Sequence, residues 1–508
     1  MAEQYLIGLD IGTSGAKCIL VNRKGTVVAS ATREYPLDTP RAGWAEQDPA
    51  DWWRAVAEGC RAILNKAQVP TEAIVALSLS GQMHGLVALD RERRVIRPSI
   101  LWCDQRTQKQ CDALTERAGG PEKLLTYTNN QMLTGYTGGK ILWLKEEESD
   151  NFARMDVFCC PKDYIRLLLT GEVATDVSDG SGTGFFDTKN RRWSDELIAL
   201  AGLDKRIFPP VLESTALAGR VTGRAAEETG LPEGLKVYAG GGDAVIQTTG
   251  SGLVRPGVLG VVIGTAGNVA MGFTGFHENP AGKLQMFANN EPGLYHALGC
   301  TLAAGSAYRW FRDTLCERQI EAARAQGLSA YDLMGESAEA SRPGANGVVF
   351  LPYLAGERCP YPDPNARGVF YGMSLATSRC DMTRAVMEGV TYSLRQVAEL
   401  FTRVAPSEKV YSSGGGSASK LWRQIQADVF GLPVYTMSAA SEGGAYGAVL
   451  VAGVGAGVWK DLNEAISVLS VETETLPNGA NRAAYEDAYG LYCDLYPALK
   501  PVFDKGAR

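Results

Sequence analysis

The chain reads as an α/β protein duplicated into two large domains, and three observations carry that reading. The segment 5-YLIGLDIGTSGAKCILVNRKGTVVAS-30 runs from an apolar strand through a Gly-Thr-Ser-Gly turn into a second strand and then a third. The segment 258-VLGVVIGTAGNVAMGF-273 repeats that outline about half a chain later, from strand through Gly-Thr-Ala-Gly to strand. Strand and helix patterns alternate elsewhere, and 508 residues exceed what one hydrophobic core supports. The expected domains are 1–250 and 251–508, because glycine and proline in 250-GSGLVRPGV-258 interrupt any regular element just ahead of the second hairpin.

The first hairpin sets the chemistry. After Gly15 come Cys18 to Val21, turn residues from Asn22 to Gly25, and then Val27 and Val28, so the glycine turn leads into a strand and not into a helix. A dinucleotide fingerprint needs a helix there, and a P-loop needs Gly-x4-Gly-Lys-Ser/Thr; neither pattern is present. Phosphate would then be held by turn N–H groups and the hydroxyls of Thr13 and Ser14, with Gly12 and Gly15 permitting close approach. An ordinary glycine-rich hairpin turn is the alternative for either turn alone. The pair of turns, with Asp10 just ahead of the first, favours two grips on one polyphosphate. Asp10 itself would hold Mg²⁺ near the phosphates, or else stabilise the turn as an Asx residue.

The following elements come in order. Asp48 is placed as N-cap and Pro49 in the first turn of a helix over 48–67 whose buried face carries Trp52, Val56, Cys60, Ile63 and Leu64. A buried strand over 74–80 ends in Gly81-Gln82-Met83-His84-Gly85, and such strand ends in α/β folds are where ligands are met. His84 offers a hydrogen bond to a polyol with Met83 against its carbon face, or else is a structural histidine. Aromatic residues in 43-GWAEQDPADWW-53 could shape a sugar pocket, with Trp52 and Trp53 otherwise belonging to the helix core. The loop 176-DVSDGSGTGFFD-187 fails as a calcium loop, because Ser181 stands at the required glycine and Asp187 at the required glutamate. In 236-KVYAGGGDAVIQTTG-250, three glycines clear space around Asp243, which makes it the candidate general base for a substrate hydroxyl; capping of the next helix is the alternative role. Further on, a helix is predicted over 381–400, then a strand at 409–413, a glycine loop at 414–417, a helix carrying Leu421, Ile425 and Val429, and a second glycine cluster over 442–455.

Composition narrows the function. Net charge is −7, which argues against a nucleic-acid surface. No apolar run is long enough to span a membrane. An odd count of eleven cysteines without a Cys-x2-Cys pair, and no signal peptide after Met1, point to a reduced, cytoplasmic setting. Only three histidines make a histidine metal centre improbable.

At this point the chain resembles the FGGY carbohydrate kinases, and among them the xylulokinases. The resemblance runs nearly end to end: DIGTSG at 10–15, GWAEQDP at 43–49, SGQMHG at 80–85, LWCDQR at 101–106, GYTGGKILW at 135–143, PKDYIRLLLTGE at 161–172, AGGGD at 239–243, FLPYLAGER at 350–358, GVFYGMS at 368–374 and SGGGSASKLWRQIQAD at 413–428. It implies two ribonuclease-H-like, actin-like ATPase domains with a cleft between them, a sugar site in the first half, and ATP with Mg²⁺. By motif, Asp243 matches the catalytic aspartate, with a share in holding substrate and metal, and Met83 and His84 match the sugar contacts. Thr13 and Ser14 match one phosphate turn and Gly264 and Thr265 the other, while Gly305, Gly415 and Ser419 match nucleotide-binding positions. D-xylulose is the implied acceptor. The chain departs from many xylulokinases in having Ala244 where they have asparagine, so a kinase of another ketose or polyol, such as ribulose or erythritol, stays open. Glycerol kinases carry an Arg-Glu pair where this chain has Met83-His84, and a tyrosine where Gly135 stands. A non-catalytic actin-like ATPase switch is the remaining rival, and the oligomeric state, a homodimer included, is open.

Overall fold

The computed structural model describes residues 3–401, 404–438 and 442–506. The chain divides into two compact units. One runs to Val254 and also takes in Gly272–His296 and Glu442–Leu469; the other comprises Arg255–Met271, Ala297–Ser441 and the chain from Ser470 onward. The first crossing, at Val254–Arg255, falls close to the expected boundary at 250/251. Two stretches of the expected second domain join the first unit, and no local sequence signal marks that exchange.

In the first unit, the sheet order is Leu217–Arg220, Lys236–Tyr238, Ile74–Gly81, Tyr5–Ile11, Gly15–Asn22, Val27–Glu34, with Gly241–Gly242 added beside Ile74–Gly81. Tyr5–Ile11, Gly15–Asn22 and Val27–Glu34 are the antiparallel strands that the first glycine turn predicts. Tyr5–Ile11 then pairs in parallel with Ile74–Gly81, which brings Asp10 level with Ser80 and Ile11 level with Gly81. The central strands Tyr5–Ile11 and Ile74–Gly81 are almost wholly buried because helices cover them, whereas Val27–Glu34 at the edge is polar and only partly buried. Helix Pro49–Ala67 is capped by Asp48, which accepts from the Ala50 N–H at 2.9 Å, and it buries Trp52, Val56, Cys60 and Ile63. Helix Gly443–Gly455 packs its backbone directly on the first strand, since a Cβ on Gly8 would lie 2.0 Å from the Ala445 carbonyl oxygen.

The second sheet runs Gln285–Ala288, Leu294–Thr301, Gly267–Thr274, Gly257–Ile263, Ser407–Ser413, Val434–Met437, Val471–Thr475. Gly257–Ile263 pairs antiparallel with Gly267–Thr274 across the second glycine turn and in parallel with Ser407–Ser413. Val434–Met437 continues in parallel, and Val471–Thr475 closes the edge antiparallel. Apart from the added strands Gln285–Ala288 and Gly241–Gly242, this is the order of the first sheet read in reverse, so the repeated hairpin belongs to a repeated fold. Helix Arg379–Phe401 covers the expected 381–400 and buries Val386, Val390, Leu394 and Val397. Among the described residues, no helix is long and apolar enough to cross a membrane.

Candidate functional site

In the first unit, Asp10, Gly12, Thr13, Ser14, Met83, His84 and Asp243 are all carried by one sheet and its strand ends. The turn is closed by the Gly12 N–H donating to the Gly15 carbonyl at 3.0 Å, and the Gly12 carbonyl accepts from Tyr35 Oη at 2.5 Å. A Cβ on Gly15 would lie 2.7 Å from the Arg33 carbonyl oxygen, so only glycine fits against the neighbouring strand. Ser14 is exposed at the tip. Thr13 Oγ1 accepts from Trp102 Nε1 at 2.9 Å, and the Thr13 carbonyl accepts from Gln47 Nε2 at 2.7 Å.

Sequence reasoning missed Gln47 as a functional residue, although the motif GWAEQDP contains it. It is buried, and its Oε1 accepts from Trp52 Nε1 and from Gln82 Nε2, each at 3.0 Å. A single amide thus ties the phosphate-type turn to the helix core and to the strand end before Met83. Its neighbour Glu46 pairs with Arg106 at 2.7 Å, and Arg106 stacks over the Trp44 ring at 3.5 Å while pairing with Asp104 at 2.7 Å. The motifs at 43–49 and 101–106 are therefore two halves of one packed support. Trp52 belongs to the helix core, and Trp44 packs on Arg106.

Met83 is buried between two glycines. A Cβ on Gly242 would lie 2.5 Å from Met83 Cγ, and one on Gly182 would lie 2.8 Å from Met83 Cε. His84 adopts φ of 71°, unusual for a residue with a Cβ, and its conformation is fixed at several points. A carbonyl oxygen can only accept, so Nδ1 donates to the Gly182 carbonyl at 2.7 Å. The ring lies 4.7 Å from Tyr136, and the His84 carbonyl accepts from Lys140 Nζ at 2.7 Å and Thr137 Oγ1 at 3.1 Å. Lys140, also missed from the sequence, is wholly buried, and that burial pushes its ammonium down to about 7.

Asp243 is the first residue of helix Asp243–Gly250; the cap position belongs to Gly242, with no side-chain cap there. Asp243 Oδ1 accepts from the Ala244 N–H at 2.7 Å. Burial, and then the Asp10 charge, push the Asp243 carboxyl from 3.8 up to about 7. Asp10 is raised by burial too, against the lowering effect of Ser80 Oγ, which donates to Asp10 Oδ1 at 2.7 Å, and of Lys17. Asp10 is thus not the Asx residue of its own turn. A Cβ on Gly444 would lie 2.2 Å from Ser80 Oγ and 2.9 Å from Asp10 Oδ1, so the late glycine cluster is what lets a helix lie against this carboxylate. The pair is a hard-oxygen, electronegative donor set that fits a hard divalent cation.

In the second unit, Gly264, Thr265, Gly305, Gly415 and Ser419 line one cavity of about 580 Å³. The Gly305 N–H donates to the Gly264 carbonyl at 2.7 Å, and a Cβ on Gly305 would lie 2.5 Å from that oxygen. Gly414 and Gly416 press against Ile263, while a Cβ on Gly415 would point into open space within the cavity. Ser419 has a local duty as well, accepting from the Trp422 N–H at 3.3 Å as N-cap of helix Lys420–Phe430. Aromatic walls that the sequence did not single out complete it: Tyr308 stacks on Tyr331 with centroids 5.6 Å apart, and Trp422 meets Tyr308 edge-on at 5.1 Å. The cavity thus sets aromatic rings beside a glycine turn.

The repeated sheet thus carries a glycine turn in each copy and, in the first unit, a buried carboxylate at the end of a glycine loop. Residues 5–250 match the N-terminal domain of the FGGY family of carbohydrate kinases and residues 260–456 match its C-terminal domain. The chain belongs to that family. It is 37% identical over 501 residues to the xylulose kinase of Bacillus subtilis (strain 168), covering 98% of each chain. The crystal structure of xylulose kinase from Rhodospirillum rubrum superposes with a TM-score of 0.90 at 32% identity, covering 99% of this chain and all of the other. That of gluconate kinase from Lactobacillus acidophilus gives 0.92 at 27% identity, covering all of both chains, so backbone shape alone does not choose the acceptor.

Proposed function

We propose that the protein is an ATP-dependent kinase that phosphorylates D-xylulose at O5. The observation that carries the reaction type is Asp243, an acid held near 7 at the end of a glycine loop and packed beside Met83. Full-length identity to xylulose kinases supports the choice of acceptor.

In this reading Met83 faces the carbon skeleton of the sugar, and the His84 side chain contacts a sugar hydroxyl. As the O5 oxygen attacks the γ-phosphorus, its proton passes to the Asp243 carboxylate and the bond from the γ-phosphorus to its bridging oxygen breaks, releasing ADP. Each unit has a turn suited to phosphate oxygens: Gly12–Gly15 with the Thr13 and Ser14 hydroxyls in the first, and Gly264–Gly267 with the Thr265 hydroxyl in the second. The aromatic cavity walls receive the base. Asp10 and Asp243 would hold Mg²⁺, which when bound supplies neutralisation of phosphate charge. The chain itself supplies mainly positioning and charge complementarity, the larger share of catalysis in phosphoryl transfer.

A kinase for another ketose or polyol is the second reading, favoured by Ala244 in place of an amide side chain. The test is a panel of D-xylulose, D-ribulose, erythritol, gluconate and glycerol with ATP, following ADP release and the phosphorylated product. D-xylulose is expected to give the highest kcat/KM. Turnover of a different acceptor in its place would move the substrate and keep the kinase; ATP hydrolysis with no phosphorylated product from any acceptor would refute the kinase reading.

A further inference from the structure

The segment 176–187, which fails as a calcium loop, forms the short helix Val177–Ser181 beside a buried ionic cluster. Lys162 Nζ lies 2.6 Å from Asp163, 2.9 Å from Asp176 and 3.0 Å from Asp179, and Arg166 lies 3.0 Å from Asp163, with all five side chains fully buried. Cys160, Asp163 and Asp179 have the spacing of a metal site, but the Lys162 ammonium already sits against both carboxylates. Burial pushes the Asp179 carboxyl well above its ordinary range, against the lowering effect of the Lys162 charge.

From this cluster, contacts reach both ends of the glycine loop ahead of Asp243. Arg166 Nη1 donates to the Ala239 carbonyl at 3.1 Å. The Gly242 N–H donates to Ser178 Oγ at 2.9 Å, and Ser178 Oγ donates in turn to Asp176 Oδ2 at 2.5 Å. The loop has no polar side chains of its own; its backbone pairs at Gly241–Gly242 with Ser80–Gly81, and the Ala239 and Gly240 N–H groups donate to the Ala216 and Ser214 carbonyls, each at 3.0 Å. Gly240 has φ of 78°, a Cβ on it would lie 2.0 Å from the Leu79 carbonyl oxygen, and one on Gly241 would lie 2.4 Å from Asn290 Nδ2.

We propose that Arg166, Asp176 and Ser178 are positioning residues that fix the 239–242 loop and thereby aim the Asp243 carboxylate at the acceptor hydroxyl. The inference rests on Asp243 being the base. Ser178 is the link that can be cut with least damage, since truncating it removes one hydroxyl and no charge. Ser181 is a matched control on the same helix: it is buried, and its Oγ serves the Val177 carbonyl at 2.7 Å and the Ala288 N–H at 3.0 Å instead of the loop.

The test combines hydrogen exchange of the peptide covering 236–246, read by mass spectrometry on the full chain without ligands, with steady-state kinetics. Ser178→Ala is expected to speed exchange in that peptide roughly tenfold and to lower kcat roughly ten- to hundredfold, with KM for sugar and for ATP moved less than about twofold. Ser178→Thr keeps the hydroxyl and is expected to restore most of both; Ser181→Ala should change neither. Should Ser178→Ala not fold, Ser178→Cys, with its weaker sulfur partner, should show the same changes at smaller size. Unchanged exchange and kcat in the folded variant, or a raised KM with kcat intact, overturns the inference. Asp243→Asn separates the two claims: if it is inactive while Ser178→Ala is normal, the positioning role alone fails, and if it retains turnover, the base and the positioning role fail together.

Discussion

Replacing Asp243 by asparagine removes the charge while keeping the shape and the hydrogen bond from the Ala244 N–H. A general base contributes typically 10²- to 10⁴-fold, so kcat is expected to fall by roughly that factor. The KM for ATP should move far less than kcat, because the aromatic cavity that would receive the base is built from other residues and Asp10 keeps its carboxylate for the cation. Wild type should lose kcat/KM as pH drops through about 7, since the carboxyl is pushed up to that value by burial and by Asp10, and only the ionised form accepts a proton. Stability should move the other way. A carboxyl raised from 3.8 to about 7 binds its proton more tightly folded than unfolded, so its effect on folding becomes unfavourable as pH rises between those values and stays so above the higher one. An uncharged amide escapes that penalty, and the Asp243→Asn variant should unfold at an equal or higher temperature than wild type at pH 8. The assay pairs a pH–rate profile from pH 5.5 to 9 with thermal melts at both ends. Turnover above about a tenth of wild type would refute the base assignment, whose lower bound is about a hundredfold. A wild-type profile flat through pH 7 would refute the electrostatic reasoning.

The remaining predictions concern the supports. His84→Ala should raise the sugar KM by about 5- to 150-fold, equivalent to about 1–3 kcal/mol for a lost hydrogen-bond partner, while the ATP KM barely moves; initial rates with each substrate varied in turn check this. Gln47→Ala removes an amide that holds Thr13, Trp52 and Gln82, so denaturant unfolding should show a loss of about 2–4 kcal/mol, and kcat should fall with it. Gly305→Ala would place a Cβ 2.5 Å from the Gly264 carbonyl oxygen, a backbone atom that cannot turn aside, so calorimetric nucleotide affinity should drop by about 1–3 kcal/mol with sugar binding unaffected.

Local pattern was enough for the elements that carry the site. The glycine turns were legible as hairpins because strand periodicity resumes directly after each, and the helix after Asp48 because its cap, its proline and its apolar face agree. The glycine-cleared Asp243 was legible because nothing else in 236–250 has a carboxylate, and family motifs tied it to Met83 and His84. Long-range pairings were not legible, because nothing in a local window records which distant group a side chain meets. Gln47 looks like a surface residue in a polar stretch until the sheet brings Thr13, Trp52 and Gln82 around it. Lys140 and Lys162 look like solvated charges, and folding buries both, one against carbonyl oxygens and the other among three carboxylates. The 442–455 glycines were visible as a cluster, yet only the approach of that helix to Gly8, Ser80 and Asp10 explains why Gly444 carries no side chain. The sequence by itself determined the repeated α/β plan and the two glycine turns, since each rests on periodicity or on residue type, and it singled out Asp243 as the candidate base. Tertiary structure alone decided which residues hold those groups in place and where the chain passes between its two units, because close packing and the burial of charge depend on contacts between segments far apart in the chain.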